Sequence, residues 1–260
     1  MNRFIFFCLF ALSFKFQTAL AQNTIDCDAI YAKRGALLFQ SADCYEKLYI
    51  NKNITAEVYF EHVFTALSTA VLDFEKKPEE KIAIDKALVA VEEVKKVLGE
   101  KAYYNYWKAV WISFEAALKD RGSLVPTTMF GRISTIQTLL KSSINENPSL
   151  HFYGPHRVLG LMHTQMPKIA GGDKKYAEEL LRIAYINRPQ YHSHPYSYAN
   201  ILYINGKNTE SKKILNQFLA TPDVNFENNP NESLRTLLPE IQKEKSKAIE
   251  LLKVISEEEG

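Results

Sequence analysis

The stretch GDKKYAEELLRIAYINRP, Gly172 to Pro189, decides the fold. Ala177, Leu181 and Ala184 stand four and three residues apart, and Pro189 follows five residues later. Such spacing lines up one face of an α-helix and then stops it, because proline cannot continue the hydrogen-bond ladder. Gly172 precedes Ala177 by five residues; thirty-four residues on, Gly206, Ser211, Leu215 and Phe218 fall in the same register, with Pro222 one residue short of it. Upstream, Ile136, Leu140, Ser143 and Pro148 repeat the four-three-five spacing.

A period of 34 residues with a small residue, two apolar residues and a closing proline is the tetratricopeptide pattern. Leu159-Gly160 supplies the leucine-glycine pair of the first helix in its unit, where glycine admits a close neighbour. The predicted fold is therefore all-α, a tetratricopeptide-like superhelix of helical hairpins. One unit departs from the ideal. Pro167 to Asp173, with Gly171 and Gly172, adds five residues between its helices and widens the turn, with one of the glycines expected at positive φ.

Working outward, helical periodicity continues and no segment alternates like a strand. Ala29 to Phe39 and Ala42 to Ile50 read as a hairpin turning near Gln40. Thr55 caps the next helix, and Pro78 marks the break before Glu79 to Leu98. Tyr103 to Leu118 follows, then a helix opened by Pro126 or Thr127 and running to Asn145. Pro155, Asp173, Pro195 and Asn208 or Thr209 mark the next four starts, and Asn231 to Glu258 is a charged last helix interrupted near Pro239.

The N-terminus reads as an export signal. Arg3 precedes an apolar run, Phe4 to Phe14, broken only by Ser13, and Ala19-Leu20-Ala21 offers a cleavage site before Gln22. The run is shorter than the ~20 apolar residues of a membrane span, and Cys8 lacks the small residues of a lipidation signal. The expected organisation is a signal peptide at 1–21, a repeat domain at 22–225 and a charged C-terminal helix at 226–260, with a periplasmic or secreted product. Of 32 basic side chains, Arg3 and Lys15 leave with the signal, so 30 face 30 acidic ones and the formal charge is zero. That balance argues against nucleic acid and anionic membrane as partners.

Cys27 and Cys44 remain after processing. An oxidising compartment favours a disulfide, whereas the hairpin turning near Gln40 would set Cys44 opposite Ala36 and leave two buried thiols. Both readings stand at this point.

Tyr103, Trp107, Trp111, Phe114 and Leu118 form one aromatic stripe, with Tyr104 and Tyr106 beside it. Packing between helices is the plain reading of such a face; lining an apolar cavity is the sharper one. Tyr153, His156 and Arg157 flank the Gly154-Pro155 turn, where an arginine at a helix start suits a ligand carboxylate, or else pairs with an acidic surface neighbour. His192 and His194, with His151 or His156, can be read as a metal site, but no carboxylate or thiolate stands at a ligand spacing, so no metal or other cofactor is expected. No nucleophile elbow, metalloprotease helix or phosphate loop is present, so the chain does not read as an enzyme.

Two stretches carry a family resemblance. Tyr103 to Phe114 reads YYNYWKAVWISF and His151 to Gly160 reads HFYGPHRVLG; Met166-Pro167 through Gly171-Gly172-Asp173 to Ala177 completes the pattern. Together they resemble the T component of periplasmic TRAP transporters. The resemblance implies a hairpin superhelix enclosing a pore or groove, which acts beside an extracytoplasmic solute-binding protein and passes a small apolar ligand. It also implies homo-oligomers and a lipid anchor, for which this chain lacks the cysteine. The competing expectations are a general scaffold for envelope protein complexes and an enzyme built on the histidine loop.

Overall fold

A computed structural model describes residues 27–123, 127–221 and 238–259. The signal peptide expected at 1–21 and the junction near 225 lie outside these residues. All described elements are helical, and no strand occurs among them. They are α1 (27–32), α2 (Leu37–Ile50), α3 (Ala56–Asp73), α4 (Pro78–Leu98), α5 (Ala102–Lys119) and α6 (Thr127–Glu146). Then come α7 (Leu150–Gln165), a short 3₁₀ turn (Lys168–Ala170), α8 (Lys174–Asn187), α9 (Ser193–Ile204), α10 (Asn208–Ala220) and α11 (Leu238–Glu259). The chain divides into two compact units after Leu98, inside the span read from sequence as one repeat array.

Unit 1 holds α1 to α4. The hairpin expected to turn near Gln40 turns earlier, at residues 33–36, where Arg34 (φ 62°) and Gly35 (φ 59°) adopt left-handed backbone. This shift corrects the register: α1 folds back on α2, and Cys27 and Cys44 form a disulfide with Cα atoms 5.7 Å apart. Nearby polar groups are matched. The Tyr31 hydroxyl bonds Thr69 Oγ1 at 2.8 Å, Tyr45 donates to Asp28, and Arg34 grips both carboxylate oxygens of Asp73 at 3.0 and 2.7 Å. Thr55 caps α3 as expected, accepting from the Val58 amide. The core between α3 and α4 is Phe60, Phe64, Leu67, Ala83, Ile84, Ala87 and Val91, all nearly inaccessible.

Unit 2 shows the repeat. α5 pairs with α6, α7 with α8, and α9 with α10, while each first helix also touches the first helix of the next pair. α11 lies against α9 and α10, closing the end of the stack with Ala248, Leu251 and Ile255 packed on Ala199, Leu215 and Phe218. The nine signature positions all fall inside: Ile136, Leu140 and Ser143; Ala177, Leu181 and Ala184; Ser211, Leu215 and Phe218. Their small members serve the close approach. Ser143 and Ser211 donate to the carbonyls of Ala102 and Ala199, at 2.9 and 2.8 Å.

Two glycines are dictated by packing. A Cβ on Gly160 would lie 2.8 Å from Leu181 Cγ and 3.3 Å from the Ala177 carbonyl, so the leucine-glycine pair does what the repeat requires. At the insertion, Gly171 adopts φ +87°, and a Cβ on Gly172 would fall 2.0 Å from the Met166 carbonyl oxygen. Asp173 then caps α8 by accepting from the Lys175 and Tyr176 amides.

Candidate ligand chamber around Arg157

α7 begins abnormally. His151, Phe152 and Tyr153 have φ values of 44°, 54° and 64°, three consecutive residues in left-handed backbone, before regular helix resumes at Gly154-Pro155. Each such residue costs on the order of 1–3 kcal/mol unless its surroundings enforce it. Here they do. The Tyr106 hydroxyl sits 2.7 Å from where a Gly154 Cβ would be, the Tyr106 and Trp107 rings meet His151 at 5.4 and 5.1 Å, and Phe152 stacks on Tyr191 at 5.1 Å. Proline in the first helical turn suits this restart, since its missing N–H is not needed there.

That turn delivers Arg157 into an aromatic enclosure. Its guanidinium lies 5.3 Å from the Tyr191 ring centroid and donates to the Tyr106 hydroxyl, while its Nε is shut from solvent without a hydrogen-bond partner. Burial works against the charge, but Tyr191, Tyr106 and Glu244 outweigh it and hold the group protonated. Glu244, the carboxylate that acts on it from α11, is itself gripped by Lys247 at 2.7 Å.

The histidines beside Arg157 stay neutral. Burial, then Arg157, His151 and Lys247, push His192 down to about 3; burial and Arg157 do the same to His194. His194 Nδ1 lies 3.0 Å from the Arg188 carbonyl and so carries the proton, leaving a buried, unpartnered Nε2. Burial also lowers His156, whose ring lies 5.6 Å from that of Tyr153. A guanidinium whose Nε is shut from solvent, set among aromatic faces and neutral imidazoles with Glu244 as the carboxylate acting on it, still has donor capacity that an anionic group can use.

His192 also borders an apolar cavity of about 230 Å³ walled by Tyr185, Pro195, Ile214, Phe218 and Ile241. Such a site can take a small apolar body, with a polar group directed towards His192 or Lys245, which both line it; Arg157 adjoins it through His192.

The residues singled out in the sequence divide here. Tyr106, Tyr153, His156 and Arg157 gather at the α7 turn, and Trp107 touches it through His151. Trp111 is different. It is fully buried, packed on Trp107 and Phe114, so the plain reading of core packing holds for it. Tyr104 is buried as well. Arg157 belongs to the enclosure rather than to a surface ion pair. Tyr191 was not singled out, and His192 and His194 were read only as metal ligands. The repeat register was the usable signal, since it places the Tyr191–His194 run at the start of α9, one unit on from the start of α7 that carries Arg157.

Set against known proteins, the chain matches no family model and no curated sequence.

Proposed function

We propose that this chain is an exported, non-catalytic accessory protein that holds a small apolar ligand bearing an anionic group, with Arg157 as the counter-charge. The single observation carrying this reading is the Arg157 Nε, shut from solvent without a partner and acting on His192, which borders a cavity with largely apolar walls. Carboxylate is the chemistry that suits it, since arginine donates to planar oxyanions in two-pronged fashion. The resemblance to TRAP T components supplies the context: docking to an extracytoplasmic solute-binding protein, with ligand exchanged between the two. The signal-like N-terminus supports export. No helix among the described residues is long and apolar enough to cross a membrane, which agrees with a working site off the bilayer.

Native mass spectrometry of the secreted protein tests this reading. The wild type should retain a small anionic molecule, and Arg157→Gln should lose it while circular dichroism stays unchanged. A ligand-free wild type, or equal retention by the variant, refutes the proposal. Pull-down with a co-encoded solute-binding protein separates the transport role from a general scaffold, which would capture unrelated envelope proteins instead.

A further inference from the structure

The inserted turn between α7 and α8 ends in an aliphatic side chain that the fold does not use. Ile169, on the 3₁₀ turn Lys168–Ala170, is 99% exposed. The backbone beneath it is firmly held. The Ala170 and Gly172 amides donate to the Pro167 carbonyl at 2.9 and 3.0 Å, and the Gly171 amide donates to the Lys168 carbonyl at 3.0 Å. Lys174 ties the turn to the end of α7 by donating to the Thr164 carbonyl, and Gly172 lies so close to the Met166 backbone that no side chain fits there. A turn fixed in this way presents Ile169 in one place, so a partner gains the contact without ordering a loop.

The neighbouring hairpins expose apolar side chains at the same end of unit 2. Ile204, the last residue of α9, is 44% exposed, and Phe130, in the first turn of α6, is 42% exposed. The turn after Ile204 is bonded to the start of α8: Asn205 Nδ2 donates to the Lys174 carbonyl at 3.2 Å and to Glu178 at 2.8 Å.

The charge around Ile169 is basic. Lys168 and Lys175 stand exposed without an ion pair among the described residues, and Lys174 lies between them and Asn205. The nearby carboxylates are already committed. Asp173 accepts from the Lys175 and Tyr176 amides, Asp120 from the Thr128 and Met129 amides, and Glu178 from Asn205 and Lys207. Lys207 also answers Glu210, so the α9–α10 turn is balanced and the surplus cations belong to the Ile169 turn.

We infer that this edge docks a protein partner whose apolar pocket is ringed by carboxylates, with Ile169 as the inserted side chain. A rigid apolar knob contributes most where a pocket shuts water away from it. Lysines beside the knob select carboxylates on the partner's rim and speed the encounter. The inference rests on the docking half of the proposed function and is independent of its ligand half.

The experiment uses the intact chain, with the co-encoded solute-binding protein as probe and biolayer interferometry as readout. Binding should weaken as salt rises. Ile169→Asp should weaken it at least about tenfold, and Ile169→Leu should keep most of it. Lys168→Glu with Lys175→Glu should slow association. Ile186→Asp, at an exposed position near the far end of α8, should leave binding unchanged. Undiminished binding by Ile169→Asp, or an equal loss in Ile186→Asp, overturns the inference and leaves the docking reading in place. A wild type that does not bind the probe overturns both. Binding of the wild type to anionic lipid vesicles instead, abolished by Ile169→Asp, also overturns the inference by making a membrane the occupant.

Discussion

Arg34 in unit 1 and Arg157 in unit 2 differ in what answers their charge. Arg34 meets Asp73 through two hydrogen bonds, beside a Tyr31–Thr69 pair and a Tyr45–Asp28 pair. Arg157 meets a tyrosine hydroxyl and a ring face, with its Nε unanswered and neutral histidines alongside. A polar group paired within the chain serves the fold, whereas one buried without a partner costs stability that a water or a ligand can restore. The backbone follows the same division. In unit 1 positive φ falls singly or as the Arg34-Gly35 pair, as turns ordinarily use it, whereas unit 2 strings three non-glycine residues together at the start of α7.

The comparison can be broken first at the aromatic helix. Trp111→Ala should cost about 3–5 kcal/mol, since the ring is fully buried and its removal leaves a cavity. Denaturant unfolding measures this. A folded Trp111→Ala protein that has merely lost its ligand would move Trp111 into the chamber and enlarge the binding side of the contrast.

The structural side is probed by Cys44→Ser. Removing a bridge that closes a 17-residue separation should cost about 3 kcal/mol. Hydrogen exchange should quicken at residues 27–50. If it quickens equally around Arg157, the two units do not divide their roles as described.

The smallest effect comes from His192 and His194. Both have folded-state values of about 3, below the ordinary 6.5, so the unfolded chain binds protons that the folded one does not. Their contribution is complete above the unfolded value and is lost as pH falls towards 3. Between pH 7 and pH 6 each should cost about 0.7 kcal/mol. Chemical denaturation at the two pH values, with His192→Gln and His194→Gln as controls, reads the slope. A flat profile would mean that these rings already carry protons beside Arg157, and the chamber would lose its neutral wall.

Much of the fold was legible in the residues. The four-three spacing located nine buried positions, Gly160 marked a close approach, Gly171 or Gly172 a positive φ that Gly171 takes, and Thr55 and Asp173 two helix starts. Each is a local requirement, written in the few residues that meet it. The first turn was misplaced because Arg34, a residue that seldom takes positive φ, bears it together with Gly35, and composition does not advertise such a site. That slip also left the disulfide undecided.

The aromatic stripe shows where sequence stops. Trp107 and Trp111 recur on one helical face, and periodicity places both inward without saying that one touches His151 while the other only packs. By itself the sequence determined the all-helical hairpin repeat, because helix periodicity, caps and close-approach glycines act over a few residues. Only the tertiary structure decided that Arg157, Tyr106, Tyr191, His192 and Glu244 share one enclosure. They come from three separate helices and a loop, and the charge balance of a buried group depends on everything packed around it.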